Sequence, residues 1–398
     1  MLQLIGYVLF LLLFAYLAFG VLYLLTFSIA GALRKKKTFP FVIEKKTIAV
    51  VIATYKEDNI IVDTASRAAS HNYPREKFEV FIVADSLKPE TTELLRSIAV
   101  QVIPVQFQRS TKARSLNVAL NTIDHKKFEI VVILDADNIM KENCLEIINA
   151  AFHKGAEAVQ CHRTAKNQHT PVAVLDAISE EINNHLFRMG PAAMNLSATL
   201  IGSGMAFRFH EIKSIFNLEH ILSNSGEDRE IDIQLMLNNT KVVYADDAIV
   251  LDEKVSSSAV FEKQRVRWLE AQVNHFKRFL HADLRHAKKD SNYWMKFLQT
   301  LLLPRSLYIL SFAFLLCLIL VERIFDLDFL YPSIAWWTSL MSLFVLTLLL
   351  AVPRQFYNLR TGRAILHLPV LIFRMVKALL RIKSNRTEFL HTPKSYSS

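Results

Sequence analysis

A chain of 398 residues has room for one large domain or two smaller ones, and 52% of this one is hydrophobic. Three cysteines, with no CxxC pair, exclude a disulfide framework and a zinc ribbon. The net charge of +10 invites a nucleic-acid reading, but no zinc finger, RNA-binding aromatic motif or basic coiled coil accompanies it, and anionic lipid beside the apolar runs accounts for the excess of Lys and Arg.

Met1–Leu33 holds no Asp, Glu, Lys, Arg or His and exceeds the roughly 20 residues that span a bilayer. Ala30-Gly31-Ala32 looks like a signal-peptide cleavage site. The amino end lacks Lys and Arg, however, and the apolar run is too long, so residues 1–33 are expected to form a transmembrane helix. Arg34-Lys35-Lys36-Lys37 follows it. By the positive-inside rule this puts the N-terminus outside and the soluble middle, roughly residues 39–296, on the cytoplasmic side of a cell membrane.

In that middle, Thr47–Ala53 is a β-branched run and Asp58–Ala69 reads as helix. Phe78–Ala84, Val100–Val105 and Ile130–Leu134 are further strand-like runs, with helical patterns over Thr111–Asn121 and Lys141–His153. The βαβα order predicts an α/β domain with a mainly parallel sheet and helices on both faces. Open sheets of this kind bind ligands at the carboxyl edge. Thr54 to Glu57 follow the first strand, Asp85 ends the second, and Asp135-Ala136-Asp137 ends the fourth. Carboxylates gathered on one edge repel unless a cation lies between them. Asp135 and Asp137 are therefore candidate ligands for Mg²⁺ or Mn²⁺, hard ions that share oxygen ligands with phosphate. Neither GxxxxGK-S/T nor GxGxxG is present, so acids, a metal and basic side chains would have to hold any nucleotide.

Gly202-Ser203-Gly204 and Gly226-Glu227-Asp228 come next, the latter before an expected helix Arg229–Asn239. Acids suit a helix first turn through its dipole. Held near a metal, one of these carboxylates equally suits removal of a hydroxyl proton. Gln264-Arg265-Val266-Arg267-Trp268 falls in an expected helix Ser258–Leu284. Leu269, Val273, Phe276 and Leu280 share one of its faces, a basic amphipathic pattern fit for a membrane surface. Arginine is also the preferred partner of a diphosphate, and an indole offers a face to a sugar ring.

Phe297–Val321 and Ile334–Val352 are expected to span the bilayer. The acidic loop Glu322–Ser333 suits the outer face, and Arg354, Arg360 and Arg363 the inner one. Ala364–Leu380 carries His367, Arg374 and Lys377 and is short, so an interfacial or re-entrant helix is expected, leaving residues 381–398 as a cytoplasmic tail.

Taken in order, Ala53-Thr54-Tyr55-Lys56-Glu57, Asp85, Lys112, Asp135-Ala136-Asp137, Gly202-Ser203-Gly204, Gly226-Glu227-Asp228 and the QxxRW run Gln264–Trp268 resemble membrane-bound family 2 glycosyltransferases of the cellulose, chitin and hyaluronan synthase type. The resemblance covers nearly the whole length. It implies a GT-A catalytic domain over residues 39–255, amphipathic helices over 256–296 and two spans within 297–352. It implies that Thr54, Glu57, Asp85, Lys112 and Asp135 bind a nucleotide sugar. Asp137, with Asp135 directly or through water or the ribose, would bind Mg²⁺ or Mn²⁺ on its diphosphate. Asp228 would be the catalytic base, and Gln264, Arg265, Arg267 and Trp268 would contact diphosphate and acceptor. Thr392-Pro393-Lys394 resembles a tail segment that gates the site in such synthases.

The implied reaction is inverting hexosyl transfer from UDP-glucose or UDP-N-acetylglucosamine to a growing polysaccharide. The alternative is a single addition onto a lipid, as in ceramide glucosyltransferases, and three spans favour it because they make a thin channel without a second copy or an accessory subunit. A silent nucleotide-sugar sensor is a third reading, which the intact acids argue against. Ala53 and Lys56 stand where the family commonly has Pro and Asn.

Overall fold

The computed structural model describes residues 1–222, 226–280 and 289–381; the segment Thr392-Pro393-Lys394 lies outside them. Helix α1 (Leu2–Leu33) is followed by β1 (Ile48–Tyr55), α2 (Asp58–Ala69), β2 (Phe78–Asp85), α3 (Pro89–Arg96), β3 (Gln101–Val105), α4 (Lys112–Thr122), β4 (Ile130–Asp135), β5 (Ile139–Met140), α5 (Cys144–His153) and β6 (Ala158–Ala165). Local sequence explains these starts. Thr111 caps α4 by accepting the Arg114 N–H, and Thr170 does the same for Ala173 at the head of α6 (Pro171–Asn184), where Pro171 fills the first turn. Short helices α7 (Gly190–Ala193), α8 (Phe209–Phe216) and α9 (Glu219–Leu222) flank β7 (Met205–Arg208). Helix α10 (Glu227–Leu237) and β8 (Val242–Asp252) complete the soluble domain.

The eight strands lie in the order β3-β2-β1-β4-β7-β6-β8-β5. The first four are mutually parallel, as expected, and β6 is parallel to β8, whereas β7 runs antiparallel between β4 and β6 and β5 antiparallel to β8. Because side chains alternate along a strand, Ile48, Val50 and Ile52 join one apolar core and Ala49 and Val51 the other, so the sheet is buried on both faces.

Three helices are long and apolar enough to cross a membrane: α1, α13 (Arg305–Ile324) and α14 (Ile334–Ala351). They share a third core containing Leu17, Val21, Tyr308, Phe312, Trp337 and Phe344, and expose Leu12, Phe314 and Trp336 outward. The second of these helices begins at Arg305, not at Phe297. Residues 291–300 form a separate helix, α12, which Asp290 caps, and its Lys296 is buried in an ion pair with Asp232 at 2.5 Å. Pro304 then disfavours helical backbone at the residue before it. The Ala364–Leu380 stretch is likewise two helices, α15 (Leu359–Ile365) and α16 (Leu368–Leu380). Helix α16 lies on α11 (Ser258–Phe279), with Met375 and Ala378 against Val266 and Leu269 and with Arg374 and Arg381 on Glu262 at 2.9 and 2.6 Å.

Candidate active site

Strands β1 and β2 end level, with Tyr55 paired to Asp85, and β4 ends two residues short of them, with Asp135 opposite Ala53. That register collects Thr54, Asp85 and Asp135 on the carboxyl edge. The residues after the first two strands, Lys56 and Ser86, adopt left-handed backbone (φ 56° and 57°), and the Lys56 N–H donates to the Asp85 carbonyl. Such strain persists where the surrounding structure demands it, as at ligand sites. Glu57 sits at the head of α2. Asp85 is 1% exposed and accepts from the Ser86 hydroxyl at 2.9 Å through Oδ1. Its Oδ2 and the Thr54 Oγ1 are buried without a hydrogen-bond partner among the described residues. Buried polar atoms are rarely left so, and both face the cleft described below.

Beyond β4 the chain turns through Asn138, whose side chain accepts the Asp135 N–H at 3.1 Å and donates to Asp252 Oδ1 at 3.1 Å. Asp137 Oδ2 accepts the Glu253 N–H at 3.1 Å. Asp135, Asp137 and Asp252 thereby bring one carboxylate oxygen each within 4.8 Å of one another. An all-oxygen, anionic donor set of this kind fits Mg²⁺ or Mn²⁺ and not a softer ion. Asp252 was not among the expected residues. Its signature is nonetheless that of Asp135, an acid closing an apolar strand, Ile249–Leu251.

Lys112, at the first turn of α4, joins Asp135 to the opposite wall: its ammonium contacts that carboxylate, donates to the Gly202 carbonyl at 2.5 Å and lies 3.9 Å from Glu227. Burial pulls its pKa down, and the two carboxylates more than offset that, holding it above its ordinary value. Gly202 has φ +86°, a conformation open to glycine, and its Cα approaches Asp228, whose Oδ2 would be 3.7 Å from any Cβ there. Glu227 is buried, and burial, with Asp228 and Asp135 adding to it, pushes its carboxyl up to about 7 against the pull of Lys112.

Helix α11 supplies the remaining wall. Gln264, Arg267 and Trp268 line the cleft, and the Gln264 Oε1 is buried without a hydrogen-bond partner among the described residues. Arg265 lines it too, but its guanidinium bonds Asp176 of α6 at 2.5 Å and lies over the rings of Phe261 (4.4 Å) and Trp268 (4.0 Å). Its charge is met within the fold, so what it visibly does is fix Trp268. Every expected site residue borders a single cleft of about 880 Å³, which continues past them between the apolar helices.

The family described as glycosyltransferase-like family 2 matches residues 45–271, more than half of the chain. The chain belongs to this family. The matched stretch runs from just before β1 to just beyond Trp268, so it contains the whole acid cluster and the QxxRW run. Among relatives, a probable glucomannan 4-beta-mannosyltransferase 14 of Arabidopsis thaliana is 21% identical over 78% of this chain and 60% of its own length. A beta-monoglucosyldiacylglycerol synthase of Trichormus variabilis is 22% identical over 56% of this chain and 48% of its own length. The chain thus spans about half to three-fifths of the curated relatives it matches. The solved mannosyltransferase PcManGT from Pyrobaculum calidifontis, in complex with GDP-Man and Mn²⁺, superposes with a TM-score of 0.59 at 16% identity over 96% of this chain and 98% of that one. The fold of this glycosyltransferase is accordingly the Rossmann-like GT-A fold, joined to three membrane-length helices.

Proposed function

We propose that this glycosyltransferase moves a hexose from a nucleoside diphosphate sugar to a hydroxyl of a lipid-borne acceptor, with inversion, at the cytoplasmic face of a membrane. The observation that carries the reading is the single cleft that joins the Asp135/Asp137/Asp252 cluster, Asp228 and the Gln264–Trp268 run to an aliphatic slot between helices. Thr54, Glu57 and Asp85 hold the nucleoside, and the unmet hydrogen-bonding atoms of Thr54 and Asp85 support that role. The three aspartates hold Mg²⁺ or Mn²⁺, which when bound offsets charge on the departing diphosphate.

The acceptor oxygen attacks the anomeric carbon while the bond from that carbon to the diphosphate oxygen breaks and its electron pair leaves with the nucleotide. Asp228 receives the acceptor proton from the face opposite the leaving group. Arg267 lines the same cleft and stabilises the charge that grows on the departing diphosphate, and Trp268 offers its face to a sugar. Lys112 holds Asp135 in place.

A growing polysaccharide is the second reading, favoured by the QxxRW run and by the mannan-type relative. The donor is a UDP-hexose or, after the neighbour bound to GDP-Man, a GDP-hexose. Purified protein with Mn²⁺ and membrane lipid is to be incubated with radiolabelled UDP-glucose, UDP-N-acetylglucosamine and GDP-mannose, and the products sized. One labelled lipid supports the proposal, and a ladder or large polymer supports the second reading. Donor binding without transfer to anything overturns both.

A further inference from the structure

Among the described residues, Arg188 and Arg305 line the cleft without a carboxylate of their own, as does Arg229. Arg188 is 3% exposed, and among the described residues its guanidinium donates to the Thr199 carbonyl at 3.1 Å and Asn184 Oδ1 at 3.2 Å, both neutral. Arg305, the first residue of α13, donates to Asn183 Oδ1 at 2.7 Å and to the Ser179 carbonyl and hydroxyl at 2.9 and 2.8 Å. Consecutive asparagines at the end of α6 therefore hold both groups. Neither has a carboxylate within ion-pair distance among the described residues, whereas Lys112, Arg163, Lys254 and Arg265 in the same cleft each have one. Burial pushes the Arg188 guanidinium down to about 9, with Arg163 adding to that effect and Tyr244 and Asp228 opposing it. A buried guanidinium is costly without a counter-charge.

Their position says where the counter-charge comes from. Asp228, like Asp232, is close enough to affect Arg188 electrostatically. Ile309, one turn along α13 from Arg305, lines the same cleft, with Leu348 and Leu349 of α14 and Leu371 and Ile372 of α16. A neutral glucan has hydroxyls but no charge for the arginines, and little to gain from an aliphatic slot. A lipid with a phosphate between its chain and its acceptor hydroxyl matches both.

We propose that this arm of the cleft binds the acceptor as a phosphate-bearing lipid, its phosphate on Arg188 and Arg305, its aliphatic chain between α13, α14 and α16, and its hydroxyl turned toward Asp228. The inference rests on the transfer reaction proposed above and deepens it by assigning the acceptor class. It is tested by binding alone. Full-length protein in a nonionic maltoside detergent is titrated with farnesyl phosphate, farnesol and inorganic phosphate, read by tryptophan fluorescence.

Farnesyl phosphate is expected to bind at least tenfold tighter than farnesol and at least a hundredfold tighter than inorganic phosphate. Arg188→Gln and Arg305→Gln should each bring it to the farnesol level while leaving Mn²⁺-dependent nucleoside diphosphate binding intact. Equal binding of the phosphate and the alcohol to the wild type overturns the proposal and leaves a slot for bulk lipid. Inorganic phosphate binding as tightly as the lipid overturns it in favour of a free-anion site. An undiminished phosphate preference in both variants also overturns it. Should a variant lose nucleotide binding through misfolding, the wild-type comparison still decides. A wild type that prefers the lipid phosphate yet transfers no sugar sinks the reaction and not this binding site.

Discussion

Asp252 completes the acid cluster from the end of a strand far along the chain from Asp135 and Asp137. Asp252→Ala is expected to weaken metal-dependent donor binding at least tenfold, as is Asp137→Ala, in a Mn²⁺ titration of nucleotide binding; an unchanged titration for either removes it from the site. Asp228→Asn keeps the shape of the side chain and removes its basicity, so transfer should fall by roughly 10² or more with donor affinity retained. Normal turnover in that variant takes Asp228 out of the chemistry. Glu227 gives a pH signature. Its folded pKa, about 7, is raised above that of the unfolded chain, so its contribution to stability is present at low pH and is lost as pH rises through 7. Glu227→Gln should therefore stabilise the protein at pH 8 by on the order of 1–3 kcal/mol and have little effect at pH 5, measured by thermal unfolding. The opposite trend would mean that Lys112 dominates the pair. Asp135 and Asp137 were legible because their apolar strand precedes them directly. Asp252 bears the same mark, but its place beside them depends on β8 lying parallel to β6, a non-local pairing that no local pattern encodes.

At the scale of elements, apolar runs located β1 to β4, and helical patterns α2 and α4, to within a few residues, since burial on both faces selects β-branched runs, whereas α3 between β2 and β3 was not read. The boundary at Arg305 was lost for a physical reason: Phe297–Val321 is apolar on average despite Gln299, Thr300 and Arg305, and hydropathy does not register the break that Pro304 imposes or the tertiary partner of Lys296. That partner makes α12 part of the soluble domain. Lys296→Met leaves Asp232 buried and unpaired and is expected to cost about 3–5 kcal/mol, whereas adding Asp232→Leu should recover most of it. Thermal unfolding of the two variants checks this, and equal losses in both would show that the pair is not the link. The charges of α16 were read as a membrane-surface feature. One of them, Arg374, together with Arg381 just past the helix, is spent on Glu262 of α11, which ties the tail-side helix to the helix that carries Trp268.

For the whole molecule, the three membrane-length runs were plain in the sequence, but their role as a wall of the site was not, because hydropathy gives length and not contact. Helix α1 is built into the domain it precedes. Tyr16 and Tyr23 donate to the carbonyls of Leu301 and Met295 at 2.8 and 3.0 Å, Arg34 pairs with Asp246 at 2.7 Å, and Gly190 lies so close to Phe27 that a Cβ would come within 2.4 Å of its carbonyl oxygen. A chain lacking residues 2–33 bares Ile182 and Leu186 and is expected to aggregate. A soluble, monodisperse product on size exclusion would show that α1 is an anchor and nothing more.

The cleft that begins at the sheet edge and ends between α13, α14 and α16 has a kinetic consequence. On the proposed reading its two substrates arrive from spaces of different dimension, the donor by diffusion through a volume and the acceptor by lateral diffusion over an area. Turnover then tracks the donor's molarity but the acceptor's mole fraction among lipids. Diluting a vesicle suspension with buffer leaves acceptor supply untouched, and enlarging the same vesicles with inert lipid starves the enzyme.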